Sequence, residues 1–361
     1  MITFRPNLYS SFRSFGYCQV SFLFLLLCFF SQSSAQEMSA LEKCGKVGLQ
    51  LNERIDYCSE VISSNQLPRL KIALAYYDRC TLLLEKRSYD LAIEDCSKAI
   101  SINPRDPDFY MNRGNSWLHK EDYKRAAADY SKVIELNPQN SHAYHNRGYI
   151  RLQQAQYDQA ITDLSVSIGL NPLFAKPYSL RAIAWRMKGD TNRSLSDYSE
   201  AIKLDPTYTD AYQGRGALYA ITNNVEPAIS DYDEAIKLES NNALLFTERG
   251  YLWTRILDPG KAIADFGEAI RLDPNYIDAY INRAYVYVYM GGANTDIDKA
   301  ISDLDTAVRL NPRHPGARFN RGVAWTRKGN VERAENDFEQ AIRLDPKLAS
   351  NVADVKRLLS Q

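Results

Sequence analysis

Across most of this chain, apolar and small residues return every three or four positions, the spacing that places side chains on one face of a helix. Residues 107–140 show the pattern in full. Tyr110, Arg113, Gly114 and Trp117 share one face of a helix predicted from Asp108 to Lys120. Lys120-Glu121-Asp122 interrupts the periodicity as a turn, and Ala126, Tyr130, Val133 and Ile134 then mark a face of a second helix, Tyr123 to Leu136. Asn137-Pro138 ends the pair, because proline offers no amide hydrogen and pushes the residue before it out of the helical region.

The same punctuation recurs at Asn103-Pro104, Asn171-Pro172, Asp205-Pro206, Asp273-Pro274, Asn311-Pro312 and Asp345-Pro346, in steps of 34 residues with one interval of 38 and one degraded member, Glu239-Ser240. Arginine keeps the beat at Arg79, Arg113, Arg147, Arg181, Arg215, Arg249, Arg283 and Arg321, and aspartate at 95, 129, 163, 197, 231, 265, 303 and 337. A fixed period in this range denotes stacked supersecondary units rather than separate domains. Eight units are expected: 73–106, 107–140, 141–174, 175–208, 209–242, 243–276, 277–314 and 315–348.

Small residues predict how each pair closes. Gly114, Gly148, Gly216, Gly250 and Gly322 follow the arginine, with Cys80, Ala182 and Ala284 as substitutes, and the second helix presents Ala92, Ala126, Ala160, Ser194, Ala228, Ala262, Ala300 and Ala334. Glycine costs about 1 kcal/mol inside a helix, so its return implies close helix approach. Tyr110, Tyr144, Tyr178, Tyr212, Phe246 and Tyr280 lie three before the arginine, and Trp117, Trp185, Tyr219, Trp253, Tyr287 and Trp325 four after it, which places these aromatics, seven of the 24 tyrosines among them, in the expected core.

This set of small residue, paired alanine, aromatic and terminal proline resembles the tetratricopeptide repeat, in the Asn-Arg-Gly form frequent in bacterial proteins, as in Tyr144-His145-Asn146-Arg147-Gly148. The resemblance implies an all-α fold: a right-handed α-solenoid of eight two-helix units whose first helices line a concave groove for protein–protein interaction. Arg151 and Arg318 stand where aromatics are usual, and Gly291-Gly292-Ala293-Asn294 expands one turn. These departures are expected to weaken single interfaces. Residues 36–72 read as a degenerate leading unit, since Arg54 to Ile62 parallels Ala92 to Ile100. That unit would cap the stack at one end, as terminal repeats must. Val352, Val355, Leu358 and Leu359 make residues 349–361 an amphipathic closing helix.

Composition adds a location. Residues 1–35 hold Arg5, Arg13 and no acid, then an apolar run from Val20 to Phe30 and the small residues Ser33-Ser34-Ala35. This is the layout of a secretory signal peptide, and eleven apolar residues as a helix span only about 16 Å, half a bilayer core. The expectation is an exported protein, periplasmic or secreted, with no membrane span once the segment is cleaved. Cys44, Cys58, Cys80 and Cys96 are then an even set in an oxidising compartment. Three connectivities are open, and neighbour pairing, Cys44–Cys58 with Cys80–Cys96, is preferred. The chain's 44 Lys+Arg match 44 Asp+Glu, so no basic face points to nucleic acid.

No catalytic or cofactor motif stands out. GxSxG, HExxH, CxxC and the phosphate-binding GK[ST] are absent, and Gly214-Arg215-Gly216 has Tyr219 where a dinucleotide fingerprint needs its third glycine. The eight Arg/Asp pairs repeat too often to be a catalytic site and read as one structural ion pair per unit. His142 and His145 have no third ligand in view, so no metal is expected. The residues left for function are on the predicted groove. Asn112, Asn146, Asn282 and Asn320 precede the arginine, and the row resembles the peptide-tracking asparagines of the O-GlcNAc transferase repeats. An amide both donates and accepts, so it can hold a peptide backbone without reading its sequence. Tyr149, Tyr251, Tyr285 and Phe319 are candidate aromatic anchors. Asn115, Asn146 and Lys176 fit the two-carboxylate clamp of co-chaperone repeats, although Met111 and Leu180 replace its other cations. The functional expectation is a non-enzymatic, exported scaffold that binds a protein or extended peptide without a cofactor. The rival is an accessory or regulatory subunit of an envelope enzyme or export complex.

Overall fold

A computed structural model describes residues 40–45, 48–64, 67–290 and 296–359. The signal-like segment and the expanded turn at 291–294 lie outside the described residues. The chain divides into two compact units, Met1–Gln139 and Asn140–Gln361. In the first, a helical turn at residues 40–44 precedes α1 (Leu51–Ser64). Two hairpins follow, α2 (Arg69–Glu85) with α3 (Tyr89–Ile102) and α4 (Pro107–His119) with α5 (Tyr123–Leu136). The second unit holds six hairpins. They are α6 (Ser141–Gln153) with α7 (Tyr157–Leu170), α8 (Ala175–Met187) with α9 (Thr191–Leu204), and α10 (Thr209–Ile221) with α11 (Val225–Leu238). Next come α12 (Ala243–Arg255) with α13 (Pro259–Leu272), α14 (Ile277–Tyr289) with α15 (Ile297–Leu310), α16 (Pro315–Arg327) with α17 (Val331–Leu344), and a last helix, α18 (Leu348–Leu359). No strand occurs among the described residues. Within each unit every helix packs on its neighbours in sequence, and first helices of successive hairpins also touch, α12 with α14 among them.

Glycine closes the hairpins as the spacing predicts. A Cβ added at Gly250 would lie 2.8 Å from the ring of Phe266, one at Gly322 2.7 Å from Phe338, and one at Gly148 2.8 Å from Leu164. The small residue is therefore the seat of a large side chain from the second helix. In the first hairpin the same two positions are Cys80 and Cys96, and they form a disulfide with a Cα–Cα distance of 5.6 Å. Cys44 and Cys58 form the other, with Cα atoms 4.8 Å apart. Neighbour pairing is thus the connectivity found. α1 takes the place of a second helix ahead of α2, where Arg79 Nη1 donates to Ser59 Oγ at 2.8 Å.

Each repeat arginine makes a two-pronged ion pair with the repeat aspartate of its own hairpin. In the fifth hairpin, Arg215 Nε and Nη2 donate to the two Asp231 oxygens at 2.9 and 2.7 Å. The eight aspartates are 1–6% exposed. A third prong often reaches back to the preceding second helix, as Arg215 to Ser199 at 3.0 Å and Arg249 to Asp233 at 2.6 Å. One guanidinium therefore ties three helices together.

Three expectations need correction. The aromatics flanking the arginine are mostly half-buried rather than core, because cations cover their outer faces: Arg181 lies over Tyr178, Arg125 over Trp117 and Arg193 over Trp185. The large fully buried tyrosines are instead Tyr130, Tyr198 and Tyr232 of the second helices. Arg151 does not leave a gap, since it joins the buried pair with a 2.7 Å contact to Asp163. Nor does Arg318, whose Nε donates to the Pro312 carbonyl at 3.1 Å, the bond that Tyr110 makes to Pro104 at 3.2 Å.

Candidate functional site

In the seven hairpins whose turns are described, the turn places one residue in the left-handed region at the same point: Arg87, Glu121, Ala155, Gly189, Asn223, Leu257 and Gly329. Only two of these are glycine. A bulky residue there is strained by about 1–2 kcal/mol. Leu257, at φ 58°, is also 78% exposed. It stands at the rim of a cleft of about 560 Å³ between α12 and α14.

The cleft has an aromatic wall and a polar rim. Tyr251 from α12 is 52% exposed, and Tyr285 and Tyr289 from α14 are 46% and 40% exposed, their rings 4.7 Å apart. Asn282, Thr254, Arg255, Met290 and the ring of Phe266 complete the lining. Arg255 is held in place by the carbonyl of Ala220 and the side chain of Asn223 at the end of α10. Arg327 does the same two hairpins on, donating to the Val288 carbonyl and lying over the Tyr289 ring at 5.0 Å. Carbonyls at helix C-termini lack partners within the helix, so these arginines satisfy them and fix the rim.

Of the candidate residues, the structure brings Tyr251, Asn282 and Tyr285 together. Asn320 is half-buried, and Phe319 is packed into the core 5.9 Å from Phe338, not held out as an anchor. Lys176 is exposed, whereas Asn146 and Tyr149 are half-buried. In the first unit Asn112 donates to Thr81 at 2.8 Å, and Asn115 accepts from the Tyr130 hydroxyl at 2.8 Å. These asparagines thus serve their own neighbours. His142 and His145 flank Phe174 at 4.8 Å each, with His145 Nδ1 enclosed and its imidazole pushed down to about 4 by burial. No group of three metal-binding side chains occurs among the described residues. The cleft members missed from the sequence are Thr254, Arg255, Leu257, Phe266, Tyr289 and Met290. Arg255 and Tyr289 share a register, six after the repeat arginine, which is the signal that could have found them.

Four family models, each described as a tetratricopeptide repeat, match residues 107–140, 130–162, 209–242 and 292–349. Among curated proteins none matches the chain. Solved structures similar to it include PilF of Pseudomonas aeruginosa, at 17% identity over 60% of this chain and 99% of that one with a TM-score of 0.54. A tetratricopeptide repeat protein of Parabacteroides merdae is similar at 19% identity over 65% and 92%, with a TM-score of 0.51. YrrB, described as a TPR protein with an unusual peptide-binding site, is 25% identical over 53% and 97%, with a TM-score of 0.45. Repeat register, hairpin packing and family matches agree: the chain belongs to the tetratricopeptide repeat family, whose stacked hairpins are scaffolds for protein–protein interaction.

Proposed function

We propose that the first-helix faces of this scaffold dock an extended segment of a partner protein in an exported compartment, without catalysis, and that the cleft between α12 and α14 anchors it. The convergence of Tyr251, Asn282 and Tyr285 carries this reading: exposed aromatics around a side-chain amide supply rigid contact area and a donor–acceptor pair for a peptide backbone. Export is supported by the signal-like residues 1–35 and by the two disulfides, which form in oxidising compartments. No helix among the described residues is long and apolar enough to cross a membrane.

A photo-crosslinking amino acid placed at Tyr251 in the native host tests the proposal. We expect a crosslinked partner, identified by mass spectrometry, that disappears when the label is moved to the exposed second-helix residue Lys237. Equal labelling at both positions overturns the cleft. Recovery of a single envelope enzyme or export complex identifies the protein as its accessory subunit, and many unrelated extended segments identify a general peptide receptor.

A further inference from the structure

The residue directly after the first helix sets the charge at that end of a hairpin. Lys120, Lys188 and Lys328 stand there in three hairpins, and each forms an ion pair with an aspartate of the preceding second helix, Asp90, Asp158 and Asp298. The sixth and seventh hairpins have Ile256 and Met290 instead. Met290 lines the cleft between α12 and α14 beside the rings of Tyr285 and Tyr289. The cleft therefore lacks the lysine–aspartate pair that closes off the charge elsewhere.

Its one charged lining residue among those described is Arg255. Arg255 Nη1 donates to the Ala220 carbonyl at 2.7 Å and Nη2 to the Asn223 amide oxygen. Both acceptors are neutral, so they hold the guanidinium still and leave its charge uncancelled, and no carboxylate lies within ion-pair distance of it among the described residues. Arg327 adds a second cation on the same side. It is exposed, has no carboxylate partner among the described residues and lies 5.0 Å from the centre of the Tyr289 ring. The opposite side is acidic: Glu248 stands one turn before Tyr251 on α12, and Asp278 one turn before Asn282 on α14, close enough to act on Glu248. A cavity of about 560 Å³ thus has an aromatic wall between a cationic and an anionic end.

We propose that this cleft selects a segment in which an apolar or aromatic side chain is followed or preceded by an Asp or Glu side chain, the ring entering between Tyr251 and Tyr285 and the carboxylate meeting Arg255. The proposal rests on the docking cleft proposed above and names the chemistry of its occupant. Tyr251 and Arg255 are four residues apart on one helix, so ring and guanidinium are separated by about one turn, 5.4 Å along the axis. Residues one or two apart in an extended chain are separated by about 3.3–7 Å, which matches. A carboxylate offers two oxygens to the guanidinium N–H groups that Ala220 and Asn223 leave free. Glu248 and Asp278 repel the same carboxylate at the other end, so charge fixes the direction in which the segment lies.

Capped peptides titrated into the full chain test this. The probes are acetylated, amidated Gly-Gly-Phe-Glu-Gly and Gly-Glu-Phe-Gly-Gly, with Gln or Lys in place of Glu and Ala in place of Phe as counterparts. The 13C-methyl signal of Met290 reports the cleft, and that of Met111, in the other unit, is the control. One Glu order shifts Met290 saturably and binds about ten- to hundredfold tighter than its Gln counterpart, the Lys peptide binds weakest and the Ala peptide does not bind. Arg255→Gln removes the Glu preference. If that variant already displaces the Met290 signal before peptide is added, the exposed Arg327→Gln gives the second reading, lowering the preference severalfold. A preference untouched by both substitutions overturns the proposal, as does a gain conferred only by a free C-terminal acid on the Gln peptide. Equal binding of the Glu and Gln peptides, or tighter binding of the Lys peptide, removes the acidic selectivity and leaves the cleft standing as an apolar anchor. A Met290 signal unmoved by every peptide removes the cleft and this proposal with it.

Discussion

Asp231 is 4% exposed and takes both of its hydrogen bonds from Arg215. Removing one partner of a buried pair leaves an uncompensated charge, so Asp231→Ala should cost about 3–5 kcal/mol, read as a lowered midpoint in urea melting. Gly250→Ala should cost about 1–3 kcal/mol, because the new methyl meets the Phe266 ring and the rigid ring must give way. Leu257→Gly should act in the other direction: relief of left-handed strain, less the entropy of glycine, leaves a gain of up to about 1 kcal/mol in the same assay. Two buried titratable groups have opposite pH signatures. Burial pushes the Asp78 carboxyl up to about 6, with Arg54 opposing, so the native state binds a proton the unfolded state lacks, and stability grows as pH falls through 6. Burial pushes the His145 imidazole down to about 4, so the unfolded state binds the extra proton, and stability is lost as pH falls from 6.5 toward 4. Melting curves of Asp78→Asn and His145→Gln across this range should each lose the corresponding slope.

At the scale of the element, the hairpin was legible because its two periods, helical spacing and a repeat step of 34 residues, were both written in residue types. Its internal bonding was legible only in part. The pairing of Arg215 with Asp231 follows from register, but the third prong to Ser199 joins a residue of the preceding hairpin, which no local pattern marks. Arg151 and Arg318 read as defects for the same reason: a guanidinium can replace an aromatic only if an acceptor lies within reach, and Asp163 and the Pro312 carbonyl are placed by folding. The disulfide Cys80–Cys96 occupies the positions where other hairpins seat a ring on glycine. It should therefore carry that hairpin's closure. Cys96→Ser should cost about 3 kcal/mol in the chain-entropy picture for a loop of this length, measured against a reduced wild-type control that should lose about as much again for the second bridge.

At the scale of the molecule, contacts run between neighbours in sequence, so stability is a sum of hairpins and their interfaces within each unit. Among the described residues, α18 packs on α16 and α17, with Val352 buried against them. Hydrogen exchange should be slowest in α9 to α13 and fastest in α18, and Val352→Asp should release α18 and then loosen α16 and α17 while leaving α9 to α13 protected. The helical hairpins, their register and the repeated ion pair rest on residue type and spacing, so the amino-acid order determined them; of the three open cysteine connectivities, folding decided the one formed. What folding alone decided is the cleft proposed as the docking anchor. Tyr251, Asn282 and Tyr285 look alike on paper to Tyr149, Asn320 and Phe319, yet only the first three meet in one cleft. Which side chains converge depends on packing between neighbouring hairpins and on where each turn directs its strained residue, and neither is encoded in the period.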